Sequence, residues 1–194
     1  MSNNVTAKKL GTRQIVIVGM LSAISVILGL SGYGFIPLPI ARATILHLPV
    51  IIGAILEGPI VGAFIGLIFG LFSMYQNILT PSVLSFAFLN PLVAIVPRVL
   101  IGITSYYAYR FMLGKSETLK VGVGAAIGSL TNTFGVLTMI FVLYAQKYAE
   151  VRNIDPKGVA LAIYSIAATN GIAEAFVAVV ITVPLVVAVK KIKR

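Results

Sequence analysis

The stretch NPLVAIVPRVLIG, residues 90–102, carries one arginine, Arg98, inside an otherwise apolar run. A permanently charged side chain sits where its neighbours suit buried or lipid-facing helix, so something nearby has to answer a guanidinium in an apolar setting. The rest of the chain has the same character. Of its 194 residues, 59% are hydrophobic and only 10% are charged, and the mean hydropathy is +1.04. That leaves too little polar material to cover the surface of a soluble domain. At roughly 20 apolar residues per bilayer crossing, the length suffices for about six crossings and little else. The expectation is an all-α integral membrane protein with six transmembrane helices. Residues 1–194 form one membrane domain, with no room for a separate catalytic or nucleotide-binding module.

Working outward from Arg98, the spacing predicts helices over about 14–30, 46–57, 59–76, 85–113, 119–145 and 158–189. The second is short and ends in the tight turn Glu57-Gly58-Pro59, and the fourth is broken by Pro91 and Pro97. Segments 31–44 (SGYGFIPLPIARAT), 77–84 (NILTPSVL) and 146–157 (QKYAEVRNIDPK) read as loops, the first two apolar enough to fold back onto the protein. Gly58, Gly62, Gly66 and Gly70 recur every fourth residue and lay a small-residue face along the third helix, suited to close backbone packing in lipid. Gly19, Ser22 and Ala23 make a small face on the first helix. That face either packs internally or docks another membrane protein. The first apolar run comes after basic residues, as in a signal peptide, but it is read as a retained helix, because the chain beyond it is still membrane protein.

The net charge of +10 comes from loops. Lys8, Lys9 and Arg13 precede the first run, Arg110, Lys115 and Lys120 bracket a middle loop, and Lys190, Lys191, Lys193 and Arg194 close the chain. The other loops carry Arg42, Lys147, Arg152 and Lys157 against Glu150 and Asp155. By the positive-inside rule the richer set is cytoplasmic, which puts both termini on that side of the cell membrane. The same residues suit anionic lipid headgroups. No basic stripe with interleaved aromatics points to nucleic acid.

Arg98 lies 13 residues beyond Ser85, Asn132 lies 13 beyond Leu119, and Asn170 and Glu174 lie 12 and 16 beyond Gly158. At ~1.5 Å per residue all four reach the middle of the membrane. Asn170 and Glu174, four apart, share a helix face. A lone charge at that depth costs at least ~2.5–3.5 kcal/mol, so these groups should face one another or a polar cavity. Two readings are open. Arg98 and Glu174 form a buried pair that only joins helices, or the four groups line a pocket for a small solute. In the second reading the pocket opens outward beneath the loops 31–44 and 77–84, with Phe35, Tyr75, Gln76, Asn77 and Asn90 near its mouth. One guanidinium among apolar walls suits a small organic carboxylate.

GAILEGPIVGAFIGLIFG (53–70), PRVLIG (97–102) and NGIAEAFVAVVITVP (170–184) resemble the substrate-binding S-components of energy-coupling factor (ECF) transporters, and the likeness spans nearly the whole chain. The resemblance implies a vitamin captured from outside beneath the first and third interhelical loops. It also implies delivery by toppling in the membrane, with a transmembrane coupling protein (T-component) and two cytoplasmic ATPases as partners. It implies docking through an Ala-x-x-x-Ala pattern on the first helix, where Gly19 and Ala23 stand here, glycine replacing the first alanine. The overall pattern is most similar to the pantothenate-specific members. Arg98 would then hold the vitamin's carboxylate, Asn132 and Asn170 its hydroxyl or amide groups, Glu174 would orient Arg98 or accept a ligand hydroxyl, and Phe35 and Tyr75 would cover apolar parts. Riboflavin, a pyrimidine precursor and other vitamins stay open.

No cofactor pattern stands out. There is no cysteine, His47 is the sole histidine, and no phosphate-binding glycine loop occurs, so ATP hydrolysis would have to come from other subunits. An intramembrane enzyme lacks a nucleophile–base pair. A stand-alone carrier would be expected to show an inverted repeat, and none is convincing.

Overall fold

The computed structural model describes residues 10–37, 42–114 and 116–192. Helix α1 (Thr12–Ser31) leads into a two-stranded hairpin, β1 (Phe35–Pro37) and β2 (Arg42–Thr44), then into α2 (Leu48–Glu57) and α3 (Pro59–Leu79). Two short helices, α4 (Ser85–Phe88) and α5 (Pro91–Ala94), precede α6 (Val96–Phe111). The chain ends with α7 (Glu117–Arg152) and α8 (Val159–Ile192). Five helical stretches are long and apolar enough to cross a membrane: Thr12–Ser31, Pro59–Leu79, Pro91–Phe111, Glu117–Arg152 and Pro156–Ile192. The sixth apolar helix, α2, has only 10 residues. At ~1.5 Å per residue it covers about half of a ~30 Å hydrocarbon core and does not cross unaided.

Several boundaries differ from the sequence expectation, each for a local reason. The segment 31–44 is not plain loop. Gly32, at φ +77°, ends α1 in the left-handed region, and an antiparallel hairpin comes next, with Phe35 opposite Thr44. The predicted helix 85–113 is three helices, since Pro91 and Pro97 each stand in the first turn of a new one. Residues 146–152, expected as loop, continue α7 beyond a break at Tyr144 (φ −139°, ψ 24°). That extension is amphipathic. Tyr148 and Ala149 are buried against Val159 and Ile163, while Lys147 and Arg152 lie over the rings of Phe86 and Tyr148. Pro184 sits inside α8 without ending it.

The glycine face of α3 is the closest interhelical approach. A Cβ built on Gly62 would lie 2.8 Å from the Cα of Gly102, one on Gly66 would lie 2.1 Å from the carbonyl oxygen of Arg98, and one on Gly70 would lie 2.7 Å from that of Ala94. The backbones of α3 and α5–α6 therefore touch along three turns, the packing that small residues permit in lipid. Gly58 is different. It has nothing within 4 Å and, at φ +106°, makes the turn between α2 and α3. By contrast α1 packs Ile17, Val18, Leu21 and Leu28 on the core and adds polar contacts. Arg13 pairs with Glu57 at 2.6 Å, the Ser25 hydroxyl donates to the Leu46 carbonyl, and Gln76 donates to the carbonyl of Gly29. At the same end as Arg13, Lys190 joins Glu117 and Tyr109, tying α8 to α7 and α6.

Gly66→Ala should destabilise the protein by about 1–3 kcal/mol, because its methyl group meets backbone that cannot swing aside. Gly19→Ala, with open space around it, should stay within about 0.5 kcal/mol. Thermal melts in mild detergent, monitored by circular dichroism, compare the two.

Candidate functional site

The arginine in the apolar run is answered locally. In a continuous helix the carbonyl of Val93 would accept a hydrogen bond from the residue four positions on. That residue is Pro97, which has no N–H. The orphaned carbonyl instead accepts from Arg98 Nη1 at 2.8 Å. Two rings flank the guanidinium carbon, Phe69 at 5.6 Å and Phe88 at 5.4 Å, and cation–π attraction strengthens where water is excluded. Arg98 is 5% exposed, and its Nε has no partner among the described residues.

Glu174 is just as buried but does not form an ion pair with Arg98. The two are near enough to act on each other electrostatically. The carboxylate is instead occupied twice, accepting the backbone N–H of Thr44 at 2.8 Å and the hydroxyl of Thr133. Glu174, in the middle of α8, thus fastens the hairpin to the bundle. The expectation that it pairs with Arg98 to join helices is replaced by this loop contact.

Asn132, on α7, is buried with its Oδ1 unpartnered. Asn170 lies one turn before Glu174 on α8, half-buried and without a hydrogen bond among the described residues. The other predicted residues make the following contacts. Asn90 caps α5 by accepting from the Leu92 N–H and donates to the Tyr144 hydroxyl. Gln76 is bound to α1 as described, Asn77 to Ser73 and Ser85. Tyr75 points outward, 54% exposed. Phe35 packs against the main core. On α1, Gly19 and Ala23 are exposed, while Ser22, grouped with them by sequence, is buried on the inner side.

Sequence reasoning passed over His47, Ser129 and Thr133. His47 directly precedes α2, is fully buried, and its Nε2 meets the Ser129 hydroxyl at 3.1 Å. Its position at the start of a short helix looked superficial, but α2 begins inside the bundle. Ser129, Asn132 and Thr133 fall at i, i+3 and i+4, a polar face of α7 that the sequence does display.

A groove of about 560 Å³ lies between α7 and α8, lined by Leu119, Val123, Val179 and Val183 among others. It sits near the helix ends joined by Lys190, not at the polar cluster, and its walls suit acyl chains rather than a charged solute.

Inside this bundle of apolar helices, then, sit a buried cation with an unpartnered N–H and a buried amide with an unpartnered oxygen, with the hairpin fastened to the same helices through Glu174. Residues 13–186 match the family of ECF transporter substrate-specific components. The chain belongs to that family and is a non-catalytic, multi-pass membrane component of a transport system. It is 33% identical over 172 residues to the pantothenic acid transporter PanT of Lactococcus lactis subsp. cremoris, covering 81% of this chain and 82% of the relative. It is 35% identical over 144 residues to the pantothenate transporter PanT of Leuconostoc mesenteroides subsp. mesenteroides, covering 68% and 71% respectively.

Glu174→Ala should release the hairpin. Losing hydrogen bonds to a buried carboxylate is worth about 1.5–3 kcal/mol, so amide exchange at Thr44 should quicken by roughly tenfold or more. Hydrogen–deuterium exchange read by mass spectrometry over residues 33–48 measures it.

Proposed function

We propose that this chain captures pantothenate from outside the cell and delivers it inward with a T-component and two cytoplasmic ATPases. In this reading it is one membrane domain in the cell membrane. It crosses six times, with the hairpin and α2 together completing the second crossing, and both termini are cytoplasmic. Clustering of Arg13, Arg110, Lys120, Lys190 and Lys191 near the helix ends that meet Glu57 and Glu117 supports that orientation. The names of the two relatives support the choice of vitamin.

The observation that carries the reading is the Arg98 guanidinium, buried yet incompletely hydrogen-bonded. A carboxylate arriving at it exchanges water for a charge-assisted bond in a medium where such bonds are strong. Asn132 and Asn170 serve the hydroxyl and amide groups, and Phe35 closes over them with its hairpin. Glu174 holds that hairpin rather than the vitamin. Gly19 and Ala23, exposed on α1, offer a small-residue face to the T-component.

Equilibrium binding of labelled pantothenate to the purified chain tests this, with riboflavin and pyrimidine precursors as competitors. Arg98→Ala should weaken binding by at least ~30-fold, since truncating one side of a buried charge pair costs about 2–5 kcal/mol. Unchanged affinity would remove Arg98 from the site, and displacement by riboflavin would reassign the vitamin. Gly19→Leu and Ala23→Leu should leave binding intact while slowing uptake by liposomes that hold the complete complex. Equal uptake would make α1 a packing helix only.

A further inference from the structure

Among the described residues six buried side-chain polar atoms have no partner: the hydroxyls of Ser22, Ser105 and Thr182, and, on groups suited to recognising a solute, Nδ1 of His47, Nε of Arg98 and Oδ1 of Asn132. The last three residues are more than nine-tenths buried, at 0%, 5% and 8% exposure. His47 and Arg98 are close enough to act on each other electrostatically. Asn132 lies three residues from Ser129, the residue that holds the other nitrogen of the imidazole. Buried polar atoms are almost always satisfied in a finished structure, and an imidazole, a guanidinium and an amide atom that are not are candidates for partners supplied by a ligand.

From this the geometry points to His47 as a ligand-contacting residue. Its Nδ1 meets a hydroxyl or amide of the molecule whose carboxylate lies on Arg98, and another polar hydrogen of that molecule reaches Asn132 Oδ1. The inference rests on the pantothenate reading and deepens it. The Ser129 contact engages Nε2 and leaves Nδ1 as the ring nitrogen without a partner. Asn132 Oδ1 can only accept. The set therefore asks for one anionic group, an O–H or N–H donor for Asn132 Oδ1, and a hydroxyl or amide that can pair with Nδ1 in either tautomer, within one small molecule. Pantothenate carries a carboxylate, hydroxyls and an amide. A plain aliphatic carboxylate would satisfy Arg98 and leave the other two atoms bare, so His47 and Asn132 supply discrimination rather than attraction.

Since His47 is the sole histidine of the chain, its ring nitrogens can be read directly. The full chain, labelled with ¹⁵N-histidine, freed of any histidine tag and held in lipid nanodiscs, is titrated with pantothenate while bound ligand is counted in parallel by dialysis. Saturation should move the Nδ1 resonance and leave Nε2 nearly in place. His47→Gln should weaken pantothenate at least tenfold while changing the affinity for butyrate less than twofold. Bound pantothenate with an unmoved Nδ1 signal overturns the His47 contact and leaves the Arg98 assignment standing. A wild-type chain that binds no pantothenate overturns the vitamin reading and this contact with it. The resonance measurement needs no variant, so it decides the question even if His47→Gln does not fold.

Discussion

Everything at the centre of this protein depends on keeping a guanidinium where water is excluded. The solution is built from backbone chemistry. Pro97 cannot donate, so it frees the Val93 carbonyl one turn earlier, and Arg98 takes that carbonyl. The same proline and Pro91 divide what would be one long span into α4, α5 and α6. The Phe88 ring that this break places near Arg98 joins Phe69 of α3 across the guanidinium. α3 comes near enough only because Gly66 lets it rest on the Arg98 carbonyl. Charge, helix breaks and glycine spacing are one arrangement rather than separate features.

A second constraint acts on the hairpin. Backbone N–H groups within a membrane need partners, and Thr44 finds its partner in the side chain of Glu174, 130 residues further along the chain. Two buried ionisable groups thus divide the work. Arg98 keeps a donor uncommitted, whereas each carboxylate oxygen of Glu174 already accepts a hydrogen bond from the protein. Had they paired with each other, the cation would have been neutralised and the hairpin left unfastened.

Much of this was legible in sequence. The apolar runs and the glycine register are periodic signals, and periodicity survives folding. What could not be read was partnership. The lone glutamate near mid-membrane looked like the natural mate of the arginine, because charge complementarity is visible in a string of letters and a freed carbonyl is not. His47 was misjudged for a related reason. Its depth depends on how far the preceding hairpin enters the bundle, and only the Ser129 contact reveals that. The segment 146–152 read as loop because its charges hide an amphipathic helix that buries Tyr148 and Ala149.

The attachment of α1 has a different sort of consequence. Its span is only 17% buried, and beside the apolar contacts of Ile17, Val18, Leu21 and Leu28 it has polar clasps at Arg13, Ser25 and Gly29. Lipid tails solvate its outer flank as well as protein would, so apolar contact gives the helix little reason to prefer one neighbour over another. It behaves as a stave fastened by a few pegs to a barrel that is otherwise self-supporting. Its sideways position is set by a narrow inner stripe of apolar contacts together with directional bonds worth about 1 kcal/mol each, far less fixing than the glycine-packed heart of the molecule has.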